Sequence, residues 1–507
     1  MTKPPNRKPD MNDRSHFDAI VVGAGAGGLS AAITLAARGR RVLAVEAQDR
    51  PGGKAGVETV DGVTFDTGPS VLTLPHVFQE LIASAGLDPA AELRLRRATP
   101  SFRYLYPDGT SVDVHHELDD TLESVSAALG RPAARELDDF MRYAAKIWDA
   151  AAPVFVFGPA PNVSSILGRG LAALSAMVKI DPFNDMRSAI RQRVRSPHLR
   201  MLLSRYATYN GSDVRRAPAT LNCIAHVELA LGGWGVEGGI GALIEALVRA
   251  AENLGVVFRY GEPVRELLLE RGAARGVRTD EGSYAARVVV MNADVAHVVR
   301  DLIPMRTEHG IRTSSAPSMS GYNVVLRARR RHRVPHTVLF PEDYAAEFVD
   351  IFDRDRPPAD PTVYLCAQEA CHGRRGWQEH EPLFVMANAP PEPAEGERPS
   401  EVWRELRTVV ARRLLGAGLI DADDGVVWER TPTDLARVFP GSRGAIYGGS
   451  SNGMMAAFQR PENTVANVPG LYLASGSAHP GGGLPLAAQS GCEAARAALA
   501  GAKEKAA

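Results

Sequence analysis

The sequence predicts an α/β fold in which a discontinuous, Rossmann-like domain carries an inserted mixed α+β domain. Three observations predict it. Residues 17–46, FDAIVVGAGAGGLSAAITLAARGRRVLAVE, read as strand, glycine turn, helix and strand. Residues 470–499 repeat the order of strand, glycine-rich turn and helix near the far end of the chain. Between them, a third glycine-opened helix starts at Gly238 and Gly239. Glycine-opened helices at both ends imply one domain assembled around whatever lies between.

The opening stretch sets the chemistry of that domain. Residues 18–22 are a short apolar strand, and Gly23, Gly25 and Gly28 follow at G-x-G-x-x-G spacing. Gly23 permits the tight turn, Gly25 lets a pyrophosphate approach the backbone, and Gly28 lets helix and strand pack closely. The helix carries Leu29, Ile33 and Ala36 on one face and ends at Gly39. Its N-terminus offers free N–H groups and partial positive charge to phosphates. Residues 41–45 make the second strand, closed by Glu46, eighteen residues after Gly28. An acid at that separation accepts hydrogen bonds from an adenosine ribose. Glycines alone would fit an ordinary loop; with the strand, helix and acid they point to a dinucleotide.

Composition narrows the class. A chain of 507 residues is long enough for two or more domains, or for one interrupted by insertions. A hydrophobic fraction of 45% and a charged fraction of 23% fit a folded protein. A net charge of −1 gives no general attraction to nucleic acid. Cys223, Cys366, Cys371 and Cys492 are scattered, with no C-x-x-C pair and no histidine at a zinc-like spacing. Neither a disulfide scaffold nor a metal site is expected, and a reducing compartment is the default. Residues 1–16 are polar and lack the apolar core of a signal peptide. No run reaches the 18 or so apolar residues of a spanning helix, so membrane contact is expected to be peripheral.

Past Glu46, Arg50 with Gly52 and Gly53, then Gly68 with Pro69, mark two further places of close backbone approach. Residues 101–106 and 111–114 read as a hairpin around Pro107, Asp108 and Gly109. Residues 119–129 and 132–151 read as helices. Residues 152–183 are apolar and broken by Pro and Gly, with a short helix expected over 171–180 beside Lys179 and Arg187. That segment fits a buried part of the second domain, or a surface that dips into a bilayer interface. Residues 186–209 read as a basic helix with Arg187, Arg191, Arg193, Arg195, Arg200 and Arg205, a solvated face or one that meets lipid phosphate.

The helix after Gly239 places Leu243, Leu247 and Ala250 on one face and ends at Gly255, and residues 256–260 form a strand. Residues 267–269, 276–279 and 285–290 read as a small antiparallel unit. Residues 362–370 and 383–390 read as buried strands, with Cys366 as packing or, alternatively, in a substrate tunnel; 390–399 is a loop. At the end, 470–474 is a strand, 475–483 a glycine-rich turn containing Gly476, and the helix begins at Leu484 with Pro485 suited to its first turn. The expected division is a disordered tail over 1–16, the dinucleotide domain over 17–100, 221–303 and 447–507, and a substrate domain over 101–220 and 304–446.

The Glu–x3–Arg–x–Gly–Gly run from Glu46 to Gly53, followed by F-D-x-G-P at residues 65–69, resembles the amino-terminal signature of flavin-dependent amine oxidases and carotenoid desaturases. The closing G-L-Y-L-A-S-G-S-x-H-P-G-G-G-L-P, residues 470–485, resembles that of bacterial carotenoid desaturases of the phytoene-desaturase type. The phrases PTVYLCAQE and LFVMANAP are similar to hydroxycarotenoid, methoxyneurosporene-type 3,4-desaturases. The resemblance covers nearly all of the chain after the tail. It implies an amine-oxidase-like fold with FAD as cofactor. It places Arg50, Gly53 and Lys54 beside the diphosphate and ring, with Gly68, Pro69, Gly476, Leu484 and Pro485 also at the cofactor. It sets Val264 near the adenine and makes residues 292–294 a family hallmark.

The implied activity is introduction of a C–C double bond into an acyclic, 1-hydroxylated carotenoid. No side chain accepts a hydride, whereas a flavin does, at N5. The second hydrogen leaves as a proton while charge spreads over the polyene, so no sharp acid–base motif is required. His479 and Glu237 are the candidates for that proton, with a hydrogen-bonded structural role as the alternative for His479. The implied setting is cytoplasmic and peripheral on the membrane, with oxygen or a quinone as electron acceptor. Phytoene desaturation, carotene isomerisation and flavin or carotenoid binding without turnover remain open on the same residues. An amine oxidase is disfavoured, because the end loop AHPGGGLP offers no aromatic cage.

Overall fold

The structure, a computed structural model, describes residues 17–161, 179–305, 307–313 and 316–504. Five parallel strands form the first sheet, in the order Leu471–Leu473, Val288–Met291, Ala19–Val22, Val42–Val45, Val257–Arg259. Ala19 pairs with Val42 on one side and with Val288 on the other, and Met291 pairs with Leu473. The first two strands are short apolar runs buried at every residue, as a parallel sheet covered on both faces demands. The chain runs outward from Ala19–Val22 through two strands, then returns to its other side for the remaining two. The winding therefore reverses between Ala19–Val22 and Val288–Met291.

Both faces are covered. Val21, Val42 and Val290 pack under helices Ala26–Ala36, Ile240–Asn253 and Leu484–Glu504. Ile20, Leu43 and Val289 pack with Leu267 and Val277 of a three-stranded antiparallel sheet, Val264–Glu270, Ala273–Thr279 and Gly282–Ala285. The segment 285–290, expected as one strand of that small sheet, is divided. Gly282–Ala285 closes the small sheet, and Val288–Met291 enters the parallel one. Val289, Val290 and Met291 are apolar toward both faces, which an edge of a small sheet could not satisfy.

The second sheet has seven strands, in the order Gly425–Arg430, Ser320–Arg329, His380–Ala389, Val363–Ala367, His336–Leu339, Phe102–Leu105, Ser111–Val114. Its neighbours are antiparallel except for His336–Leu339 beside Phe102–Leu105. Phe102, Val338 and Phe384 pack against Val125, Phe140 and Ile190 of the helices Leu118–Leu129, Arg131–Phe155 and Met186–Arg193. Val324, Leu365 and Val385 pack on the other face against Trp403, Leu406 and Val410 of Ser400–Gly416.

The basic stretch 186–209 is three pieces rather than one helix: Met186–Arg193, Pro197–Ser204 and a 3-10 turn over Arg205–Asn210. Pro197 starts a new helix, and the Ser196 hydroxyl accepts the Leu199 amide. Arg205 is buried, contrary to a solvated face. Its guanidinium donates to the Tyr104 hydroxyl and lies 3.8 Å from the Glu228 carboxylate. Of the helix expected over 171–180, residues 171–178 lie outside the described residues. Among the described residues, no helix is long and apolar enough to cross a membrane.

Candidate cofactor site

The carboxyl ends of the parallel strands gather the site. Gly23 follows Val22, Glu46 follows Val45, Asn292 follows Met291 and Ala474 follows Leu473. In an open α/β sheet the ligand crevice lies at these ends, where the winding reverses. Steric contact explains the glycines. A Cβ on Gly28 would stand 1.9 Å from the Gly23 carbonyl oxygen, and one on Gly23, at φ +97°, 2.5 Å from that of Asn292. A Cβ on Gly25 would meet Asn292 Oδ1 at 3.1 Å. Gly25 caps the helix Ala26–Ala36 without any side-chain hydrogen bond, and no acid stands in the first turn. The first amides of that helix are left for a ligand.

Glu46 is 7% exposed. Its Oε2 accepts the Ala24 amide at 2.6 Å and its Oε1 accepts the Gln48 amide at 2.9 Å. Burial raises its pKa, and the amides of Gln48, Ala24 and Ala47 partly offset that. Each carboxylate oxygen keeps a lone pair for a ribose hydroxyl. Val264 is buried in the apolar cluster that contains Val45, and the Glu46 carbonyl accepts the Glu262 amide at 2.9 Å.

Gly52 forms a bridge to Gly25, and a Cβ on Gly53 would lie 3.5 Å from Gly25 Cα, so this loop rests on the glycine turn. Arg50 is half exposed and pairs with Glu58 at 2.5 Å. Lys54 Nζ donates to the carbonyls of Ala445 and Ile446 at 2.8 and 3.0 Å. Burial pulls its pKa down to about 8, with Asp294 opposing and Arg430 reinforcing. Gly68 is fixed by contact with the same loop, since its Cβ would stand 2.1 Å from the Lys54 carbonyl oxygen; Pro69 beside it is half-buried.

The closing turn meets the opening one. Gly476 packs against Gly482, Pro485 is buried at the helix start, and Leu484 packs on the core under the opening helix. His479 is buried, and its Nε2 lies 2.9 Å from the Gly158 carbonyl oxygen. Burial lowers its pKa, the Gly158 contact opposes and the nearby Arg460 reinforces. That geometry fits the structural role weighed for it. Glu237 is exposed and pairs with Arg96 at 2.7 Å.

Three residues outside the expected site hold it together. Asn292 donates from Nδ2 to the Ala474 carbonyl and turns Oδ1 to Gly25 and Gly28. Asp66 accepts the amides of Ile240 and Gly241 at 2.8 and 3.0 Å, so it caps the glycine-opened helix Ile240–Asn253. Gly491 lets the closing helix touch the opening one, since a Cβ there would stand 1.9 Å from the Gly27 carbonyl oxygen. Asn292 and Asp66 were legible as parts of family phrases, though their contacts were not; Gly491 carries no local signal of its contact. A glycine floor, an uncapped helix N-terminus and an acid at the second strand's end together fit FAD.

Residues 26–499 match the family described as flavin containing amine oxidoreductase. The chain is 36% identical to hydroxyneurosporene desaturase of Rubrivivax gelatinosus, over 95% of this chain and 93% of that protein. It is 29% identical to 4,4'-diaponeurosporene oxygenase of Staphylococcus aureus, over 93% of this chain and 96% of that one. Among solved structures, putrescine oxidase bound to putrescine superposes with a TM-score of 0.60 over 96% of this chain and 99% of the other, at 17% identity. The likeness to the latter is one of fold, and it is the amine-oxidase-like fold expected from the sequence.

Proposed function

Because the chain belongs to the flavin containing amine oxidoreductase family, we propose that it is an FAD-dependent carotenoid desaturase. Its substrate is an acyclic, 1-hydroxylated carotenoid, into which it introduces a C–C double bond. The observation that carries this is the end-to-end likeness to a hydroxyneurosporene desaturase, stronger than that to the oxygenase. When bound, FAD supplies the hydride acceptor that side chains lack. The chain's own residues bind and orient. Gly23, Gly25, Gly28 and the first amides of Ala26–Ala36 take the diphosphate, and Glu46 takes the adenosine ribose. Arg50, Gly53, Lys54, Gly68, Pro69, Gly476, Leu484 and Pro485 line the remainder, with Val264 near the adenine. His479 keeps the closing turn in place through Gly158 rather than taking a proton.

The substrate sets the location. At about 0.8 kcal/mol per buried CH₂, a chain of roughly 40 carbons does not diffuse free in water. The enzyme therefore docks peripherally on the cytoplasmic membrane through the segment 154–180, of which 162–178 lie outside the described residues, and passes electrons to oxygen or a quinone. Anaerobic incubation of the flavin-loaded protein with a 1-hydroxylated acyclic carotenoid in liposomes tests the activity. The expected result is flavin bleaching, a red-shifted polyene spectrum and a product two hydrogens lighter. A product of unchanged mass would mean isomerisation, and one heavier by an oxygen atom in a parallel aerobic incubation would mean an oxygenase. Bound FAD that no carotenoid bleaches would mean a binding protein.

A further inference from the structure

Cys366 and Cys371 show no metal-ligand pattern in the sequence, because the residue that completes one is a strand away. In the seven-stranded sheet, His336 is the antiparallel partner of Cys366. The short helix Gln368–His372 then returns Cys371 over the same place. The donor atoms of His336, Cys366 and Cys371 all lie within 4.8 Å of one another, and all three residues are buried. His336 Nε2 stands 3.5 Å from Cys371 Sγ. Zinc–sulfur bonds of about 2.3 Å and zinc–nitrogen bonds of about 2.0 Å at a tetrahedral angle separate N and S by roughly 3.5 Å.

The surroundings are those of a metal ligand set. The Tyr364 hydroxyl lies 2.8 Å from His336 Nδ1, which fixes the ring with Nε2 toward the sulfurs, the usual second contact of a ligating histidine. His372, next to Cys371, has its Nδ1 on the Val236 amide. Its Nε2 therefore carries the ring proton and faces the Asp66 carboxylate at 3.8 Å, outside the donor cluster. Burial raises the Cys366 thiol, but Cys371, His336 and His372 outweigh it and hold it well below the usual thiol range. Burial and Cys366 push Cys371 well above that range. A thiol–imidazole hydrogen bond alone would account for the 3.5 Å contact, but it needs one sulfur, and two are here. With two thiolates and one neutral histidine, a divalent cation leaves the three-ligand set without net charge.

The geometry points to a buried zinc site made by His336 Nε2, Cys366 Sγ and Cys371 Sγ. Binding requires both sulfurs as thiolates, so it releases thiol protons. The site ties two strands and a helix to the loop that carries Asp66, since Cys371 Sγ also lies 3.7 Å from the Ser70 carbonyl oxygen. Metal analysis of the purified, flavin-loaded protein, grown with added zinc and dialysed against EDTA, should give one zinc per chain. X-ray absorption at the zinc edge should show two sulfur neighbours. Cobalt(II) should give ligand-field absorption beyond the flavin bands, and Tyr364→Phe should weaken cobalt binding by about 10–100-fold while the ligands stay. Cys371→Ser should lose the metal. A wild-type protein with less than about a tenth of an equivalent of zinc and no cobalt spectrum overturns the site, whether or not the variants fold. So does a Cys366–Cys371 disulfide found by mass spectrometry of unreduced peptides.

Discussion

Lys54 holds a charge where burial disfavours it, and its two carbonyl partners are more than three hundred positions away in sequence. Its folded pKa, about 8, lies below the 10.5 of a free lysine. Between those values the unfolded chain binds more protons, so stability rises with pH through that window and the penalty is complete below it. The rise is worth at most about 3 kcal/mol. Urea unfolding of the apoprotein at pH 7.5, 9 and 10 should show this rise in the wild type and not in Lys54→Met. Parallel slopes in the two proteins would refute it. Glu46 makes a second prediction: Glu46→Ala removes a charged acceptor, a loss of about 1.5–3 kcal/mol. FAD affinity, read by flavin fluorescence quenching, should fall on the order of 10–100-fold. Glu46 was legible because its role follows from its distance from Gly28. The carbonyl contacts of Lys54 were not, since they depend on a fold that brings 54 to 445.

The elements join through contacts that local pattern cannot express. The helix Ile240–Asn253 has no cap in its own sequence, since Gly239 precedes it. The cap comes from Asp66, whose backbone is in turn held by Gln368 of the short helix Gln368–His372 at 2.8 and 2.9 Å. Arg374 also lies 3.2 Å from Asp66 Oδ1. Asp66→Ala therefore leaves two amides and a largely buried guanidinium without their acceptor. The expected cost is about 3 kcal/mol, seen as a lower thermal midpoint, with Asp66→Asn intermediate. An unchanged midpoint for Asp66→Ala would show the cap to be dispensable. Gly491→Val places a side chain against Gly27 and should yield colourless protein without flavin, whereas Gly501→Ala, whose Cβ meets only the Tyr472 hydroxyl at 3.3 Å, should stay yellow. The strands and helices themselves were legible because buried parallel strands and glycine-opened helices have strong local signals. The division of residues 285–290 between two sheets was not, because an apolar run fits either sheet until its neighbours are known.

At the scale of the whole molecule, the two ends of the chain announce one sheet, while the middle keeps its arrangement hidden. The arginine run shows why: spacing says a basic helix, but Arg205 is drawn inward by Tyr104 and Glu228, each far away in sequence. Tyr206 donates to Glu228 at 3.0 Å, which completes a buried cluster beneath the basic surface. What remains outside is informative. Phe183 is 91% exposed. Among the described residues, the side chains of Lys179, Arg187, Arg191 and Arg195 make no ion pair, although Arg193 pairs with Asp181. An exposed ring beside uncompensated cations is what an anionic bilayer surface accepts, each cation near it adding about 1 kcal/mol. Burying the Phe183 ring in lipid adds about 1.5–3 kcal/mol. Phe183→Asp should therefore weaken binding to phosphatidylserine-containing liposomes on the order of 10–100-fold in co-sedimentation. Neutralising Lys179, Arg187, Arg191 and Arg195 to Gln should abolish the dependence on anionic lipid. Salt should weaken the wild type and leave the neutralised protein unaffected, because screening acts on the cations and not on the ring. If both variants fold, keep their flavin and partition like the wild type, the membrane meets another face of the protein.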